Sequence, residues 1–412
     1  MASIKLKHSG GNGTIIAAPT SNPASDKTLT LPSDVDGTIV SKDSSNSLQN
    51  ITGINGGQLG NRNLIINGAM QVAQRGTSST SSGYQTVDRF LVDHGGTDEA
   101  PTQAQVDVAS GTTPYTLGFR KALKITNGNQ TSGAGSGDYV YMKYSFEAQD
   151  IANSGWNYLS SSSNVTLSFW VKSSVAQSFK AYFQTRDGTN YQYPFETGSL
   201  SADTWTKVTK TISGNSNLTF NNDNGTGLEL YIWAFIGTDY TASSVTEDAW
   251  STYSSSARTK DATSTWYTTN DSTIELTGLQ LEVGSVATDF EHRSFGQELE
   301  LCKRYFQVLV DDGTSKSFGN GTCYSASNMH LIIQLNPEMR TTPTLDYTSG
   351  SDYYDMFRDN AADQFDSFVL QTTSHKRAVD LFASGGASGS QGASALLRTN
   401  NSDAKIRFSA EL

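Results

Sequence analysis

Charge is scarce in this 412-residue chain: Asp, Glu, Lys and Arg together make up only 17% of it. No apolar run approaches the ~18 residues that a helix needs to cross a bilayer. Neither end carries a charged-then-apolar leader, so the reading is a soluble, unprocessed chain with no membrane insertion. The net charge is −11 and no cluster of Lys or Arg occurs, which excludes the basic footprint of a nucleic-acid surface. Five histidines, none at ligand spacing, exclude the usual zinc sites, and no metal or other cofactor is expected. No Gly-X-Ser-X-Gly elbow and no His-Glu-X-X-His helix occurs. The only cysteines, Cys302 and Cys323, are expected to be free thiols, with Cys302 buried on a helix.

What remains is small and polar. Apolar residues make up 36% of the chain, aromatics 10%, and there are 37 glycines, so Ser, Thr, Asn and Gly dominate the surface. That balance favours short strands joined by polar loops, hence an all-β architecture. Strands are predicted at Leu123–Thr126, Tyr139–Phe146, Val165–Lys172, Phe179–Thr185, Lys207–Ile212, Leu228–Ile236 and Ile274–Val283, each bounded by Gly, Asn, Asp or Ser. Their spacing predicts a central antiparallel jelly-roll sandwich over 63–295. Trp170 and Trp205 are expected in its core.

The segment from Leu276 to Phe306 is the most structured reading in the chain. Ile274, Leu276, Leu279, Leu281 and Val283 keep one face apolar, and Gly278 stands where the alternation skips, as a bulge requires. Ser294 and Gln297 then have capping-box spacing, Glu298 and Glu300 sit in a first turn, and Lys303 and Arg304 sit in a last one. A short linking helix is predicted, followed over 296–412 by a smaller C-terminal β-sandwich. Its strands are expected at Tyr305–Val310, His330–Leu335, Phe368–Gln371, Arg377–Phe382 and Ile406–Phe408, with a flexible tip loop at Gly385–Gly392. Residues 1–62 are too thinly apolar to offset their ordering entropy alone and read as an extended arm ordered by a partner.

Four segments carry a resemblance, the shortest being M-R-T-T-P-T-L at Met339–Leu345. L-T-G-L-Q-L-E-V-G-S-V-A-T-D-F-E-H-R-S-F-G-Q-E-L-E-L-C-K-R-Y-F, from Leu276, resembles a segment of tail-fibre and related virion proteins of tailed bacteriophages. N-R-N-L-I-I-N-G-A-M-Q-V-A-Q-R-G-T-S, from Asn61, followed by Val87, Asp88, Arg89 and Phe90, resembles the opening strand of the same family. Thr28–Ser41 resembles short repeats near the N-termini of phage fibres. The resemblance implies a noncatalytic virion protein, a tail fibre or receptor-binding subunit, assembled in the host cytoplasm and carried on the particle. It further implies a homotrimer, attachment to other virion proteins through 1–62, and a host-surface polysaccharide or lipopolysaccharide as ligand. A head-fibre, decoration or baseplate protein is the alternative within the family, and a polysaccharide depolymerase the alternative outside it.

Candidate site residues come from one loop. Gly237–Asp271 holds Tyr240, Trp250, Tyr253, Trp266 and Tyr267 among hydroxyls and carboxylates. Trp250, Tyr253, Trp266 and Tyr267 are the candidate sugar-stacking rings, with apolar faces beside a polar rim. The competing reading is that they anchor the loop on the sandwich or at a subunit interface. Carboxylate pairs such as Asp352 with Asp355, or Asp359 with Asp363, read as solvated loop charges. The Asn221–Glu229 stretch reads as a hairpin turn instead of a calcium loop.

Overall fold

The structure, a computed structural model, describes residues 3–7, 13–17, 61–311, 313–385 and 389–412. The chain divides into two compact units, Met1–Ile51 and Thr52–Leu412. In the first, Ser3–Lys7 pairs antiparallel with Gly13–Ala17, Ile4 facing Ile16. The rest of the expected arm, including Thr28–Ser41, lies outside the described residues.

The second unit is all-β and holds the expected sandwich. One six-stranded sheet runs Ser251–Thr252, Tyr191–Glu196, Lys180–Thr185, Thr226–Ile236, Tyr139–Glu147, Phe90–Gly95. The other runs Thr206–Ser213, Asn164–Ser173, Thr273–Val283, Lys121–Thr126, Thr102–Asp107, Ser78–Ser79. Every strand pairing within them is antiparallel. Alternation decides which residues go inside. Val140, Met142, Tyr144 and Phe146 of the first sheet share a core with Leu167, Phe169, Leu276 and Leu281 of the second. Gly278 has φ +65° at a register shift between Thr277 and Gln280, the expected bulge, and a Cβ there would lie 2.7 Å from the Phe119 ring.

The opening marker forms no strand, contrary to expectation. Residues 61–72 thread between elements, turning at Asn67 (φ 60°) and Met70 (φ 57°). Asparagine side chains take over the role of a ladder. Asn67 Oδ1 accepts from Val72 N at 2.9 Å, while its Nδ2 donates to the carbonyls of Val72 and Asp88. Asn63 Nδ2 donates to Leu279 O at 3.0 Å. Gly68 lies so close to the Leu279 carbonyl that a Cβ would stand 2.1 Å from its oxygen. Trp170 and Trp205 also depart from expectation. They are half-buried in a cluster on the outer side of the second sheet, with Phe119 and Phe290.

The helix spans Phe295–Lys303 and carries the capping box: Ser294 Oγ accepts from Gln297 N, and Gln297 Oε1 accepts from Ser294 N at 3.0 Å. Two further sheets follow. Phe306–Asp311, Lys405–Ser409 and Thr344–Tyr347 form one, and a larger sheet is built around Tyr354–Arg358, Ser394–Thr399, Ser317–Cys323, Asn328–Gln334 and Ala378–Ser384. They share a core of their own, in which Cys323 Sγ lies 3.8 Å from Met356 Sδ. Cys302 is a buried free thiol on the helix.

A dense polar joint ties this part to the sandwich. Glu147, at the end of a sandwich strand, accepts from Arg304 at 2.7 and 2.8 Å and from the Tyr305 hydroxyl at 2.6 Å. Burial works against the Glu147 charge, but these donors win and hold its carboxyl below the usual range. Arg340 donates to the carbonyls of Ala410, Asn224 and Glu411 at 2.7 to 2.8 Å.

Candidate functional site

Period-2 alternation gives the first sheet an outer face as aromatic as its inner one. Along Y-V-Y-M-K-Y-S-F, Tyr139, Tyr141 and Lys143 point away from the core; along L-E-L-Y-I-W, so do Glu229, Tyr231 and Trp233. Pairing registers set them in rows. Gln192, Gln184, Glu229 and Ser145 lie in one row across four strands. Pro194, Tyr182, Tyr231 and Lys143 form the next, and Trp233, Tyr141 and Asp93 the one beyond.

The rings stack into a continuous platform. Tyr182 and Tyr231 are 4.7 Å apart at 12°, Tyr139 and Tyr141 5.7 Å at 24°, and Trp233 lies 4.7 Å from Tyr141. Tyr182 and Trp233 have about 1% of their surface exposed, whereas Tyr139, Tyr141 and Tyr231 are half-exposed. The rim is charged. Glu229 takes Lys143 Nζ at 2.9 Å, the Tyr231 hydroxyl at 2.9 Å and Arg186 Nε at 3.5 Å; Asp93 takes the Tyr141 hydroxyl at 2.9 Å. Burial first, and then the adjacent carboxylate, pushes both tyrosine hydroxyls well above their ordinary value, so they stay neutral donors.

The Gly237–Asp271 loop walls one side. Gln192 Nε2 donates to Ala257 O at 2.7 Å, and Ser254 N donates back to Gln192 Oε1 at 3.1 Å. This seats Tyr253, Tyr240 and Arg258 beside the platform, the Arg258 guanidinium 4.6 Å from the Tyr240 ring centre. Three buried donors of this face, Gln184 Nε2, Trp233 Nε1 and Arg258 Nε, have no hydrogen-bond partner among the described residues.

The four candidate rings separate. Tyr253 stands at the platform's edge, half-exposed. Trp250 is half-buried against the sandwich core, its Nε1 donating to Ser213 O at 2.8 Å and its ring edge-on to Tyr193. Trp266 and Tyr267 are fully buried, Tyr267 stacked 4.2 Å from Phe235, so their faces are closed to any sugar. For these two the expectation is corrected: they anchor the loop. The signal for the platform was present in the paired Tyr-X-Tyr and Tyr-X-Trp steps of two neighbouring strands, which read as strand pattern alone.

Other candidate chemistry resolves into structure. Asp355 is buried, not solvated as expected, and accepts both nitrogens of Arg398 at 3.0 and 3.1 Å. Asp359 and Asp363 both pair with Arg358. In the Asn221–Glu229 stretch, Asp223 Oδ1 closes a turn onto Gly225 N. Among the described residues no group of three or more His, Cys, Asp or Glu is disposed to hold a metal.

No family model and no curated protein matches the chain. Solved structures with a similar path include the enzymatically active domain of bacteriophage CBA120 tailspike protein 4, at TM-score 0.30 and 11% identity. That match covers 54% of this chain and 21% of that one. The N-terminal cellulose-binding domain of Cellulomonas fimi β-1,4-glucanase C matches at TM-score 0.26 and 12% identity, over 53% of this chain and 99% of that one. The family 11 carbohydrate-binding module of Clostridium thermocellum, in complex with a mixed-linked tetrasaccharide, matches at 0.24 and 10%, over 52% and 98%. At such scores the likenesses carry no part of the functional reading.

Proposed function

We propose that this chain is a noncatalytic glycan-recognition protein of a tailed-phage particle, a tail fibre or receptor-binding subunit. Its ligand is a host-surface polysaccharide or lipopolysaccharide, held on the outer face of the tyrosine-rich sheet. The observation that carries the reading is the platform itself: half-exposed rings of Tyr139, Tyr141 and Tyr231, rimmed by Lys143, Arg186, Glu229 and Asp93. Sugars offer C–H faces to rings and hydroxyls to such a rim. The virion assignment rests on the resemblance of the 61–90 and 276–306 segments to phage fibre proteins.

Binding without hydrolysis is supported by the carboxylate layout. Asp93 and Glu229 lie on opposite sides of the Tyr139–Glu147 strand, opposite Tyr141 and Ser145. Strand rise and spacing put their Cα atoms about 17 Å apart. A glycosidase pair holds its carboxyl groups ~5 to 9.5 Å apart, whereas here each carboxylate is tied to partners on its own side, Asp93 to the Tyr141 hydroxyl and Glu229 to Lys143 and the Tyr231 hydroxyl. Assembly as a homotrimer, attached through residues 1–62, would present several weak sites on one rod, and linked sites gain ~10² to 10⁴ in apparent affinity. The test is binding of the purified chain to arrayed bacterial surface glycans, with Tyr141→Ala and Tyr231→Ala compared against wild type. Retention of the glycans by the wild type and loss by both variants supports the reading; equal retention removes the platform from it.

A further inference from the structure

The second sheet carries its own concavity, unconnected with the tyrosine platform on the first. A cavity of about 230 Å³ opens on its outer face, lined by Trp170, Phe119, Phe290, His292, Lys207 and Asp289. Three elements build it. Lys207, Trp170 and Thr277 stand in one row across three strands. Next to them the Gly278 bulge lets the Phe119 ring close in over the backbone, where any larger residue would collide with it. The segment after the last sandwich strand then folds back, so that Phe290 packs 4.9 Å edge-on against Phe119 and His292 lies 5.1 Å from the same ring. His292 Nε2 is fixed at 2.8 Å from the Leu117 carbonyl.

The walls are aromatic and the polar groups are idle. Lys207 and Asp289 are exposed at the rim, and among the described residues neither side chain has an ion-pair or hydrogen-bond partner. Ser168, 4% exposed, also lines the cavity, and its hydroxyl has no partner among the described residues. One donor, one acceptor and one hydroxyl around edge-packed rings suit a ligand with C–H faces and hydroxyls that give and take hydrogen bonds. The volume, about eight waters' share of liquid, is below the ~300 Å³ at which drug-sized pockets begin. It suits one ring, not a chain of them.

We propose that this cavity is a second saccharide site, taking a single pyranose ring against Trp170, with Lys207 and Asp289 on its hydroxyls. The site stands apart from the platform and does not depend on it. The test uses the full chain labelled with 5-fluorotryptophan, whose six tryptophans give separate ¹⁹F signals, Trp170 and Trp233 being identified by Trp→Phe substitution. Methyl glucoside, galactose, N-acetylglucosamine and glucuronate are titrated in to tens of millimolar. The proposal expects at least one of them to shift the Trp170 signal saturably, and His292→Ala and Lys207→Ala each to weaken that response tenfold or more. The four signals outside this cluster, from Trp156, Trp233, Trp250 and Trp266, unmoved in each variant, certify its fold. No saturable Trp170 shift with any of the four sugars, or a response unchanged in both variants, overturns it. A shift confined to Trp233 also overturns it, while leaving the platform reading intact.

Discussion

The guanidinium carbon of Arg89 lies 3.4 Å from the centre of the Tyr305 ring, and the same guanidinium pairs with Glu411 and donates to the Ser145 carbonyl at 2.7 Å. Arg89 belongs to the first marker segment and Tyr305 to the second. A second contact repeats the pattern, since Asn67 N donates to Glu298 of the helix. The two marker segments therefore meet in one buried joint between the sandwich and the C-terminal sheets. Their residue types answer to that joint, and the tyrosine platform lies on a different surface.

Removing one member of the joint should be expensive. Arg89 is 1% exposed, and cutting one partner from a buried pair costs about 3 to 5 kcal/mol because the other charge is left behind. Arg89→Ala is expected to lower the urea midpoint accordingly with an unchanged slope. A loss under about 1 kcal/mol would mean that water or a neighbour compensates Glu411.

Asp88 should leave a mark on the pH profile. Burial raises its pKa to about 6, against the hydrogen bonds from Gln74 that lower it. The folded state therefore holds this proton more tightly than the unfolded one. Stability from this group is present near pH 4 and is lost as pH rises to about 6, by roughly 3 kcal/mol for a shift of this size. Asp88→Asn should remove that decline, so the variant gains on the wild type between pH 4 and 7 in denaturant melts. Parallel profiles would contradict the raised value.

Trp266 and Tyr231 should behave oppositely. Trp266 is fully buried, and Trp→Ala in a core costs about 3 to 5 kcal/mol. Its loss should appear in the melting transition. Tyr231→Ala removes a half-exposed ring and is expected to cost glycan affinity tenfold or more with a much smaller change in stability. Calorimetry and glycan titration on both variants distinguish the two roles, and an exchange of these phenotypes would return the site to the loop.

Much of the fold was legible because it obeys local rules. Alternation marked the seven predicted sandwich strands, and Ser294 with Gln297 and the skip at Gly278 marked the helix start and the bulge. Elements escaped where the pattern was weak. Thr102–Asp107 is T-Q-A-Q-V-D, too polar to read as a strand, and Tyr191–Glu196 contains Pro194. The 61–72 segment misled in the other direction, since Leu64, Ile65 and Ile66 look like a strand, but their amides donate to the Leu281 carbonyl, the Asn63 side chain and the Tyr144 hydroxyl in turn. The site was hidden for a different reason. A large ring on the outer face of a strand looks the same in sequence as one in the core, and only the register of three strands brings Tyr139, Tyr141, Tyr182, Tyr231 and Trp233 together.

The most direct test of the account is binding of the fluorescently labelled chain to candidate host cells, with oligomeric state measured by light scattering in the same sample. The account predicts saturable binding by a trimer, abolished when surface glycans are stripped and reduced at least tenfold by Tyr141→Ala and Tyr231→Ala. Binding that survives glycan removal, or that both variants retain in full, would contradict glycan recognition by this face.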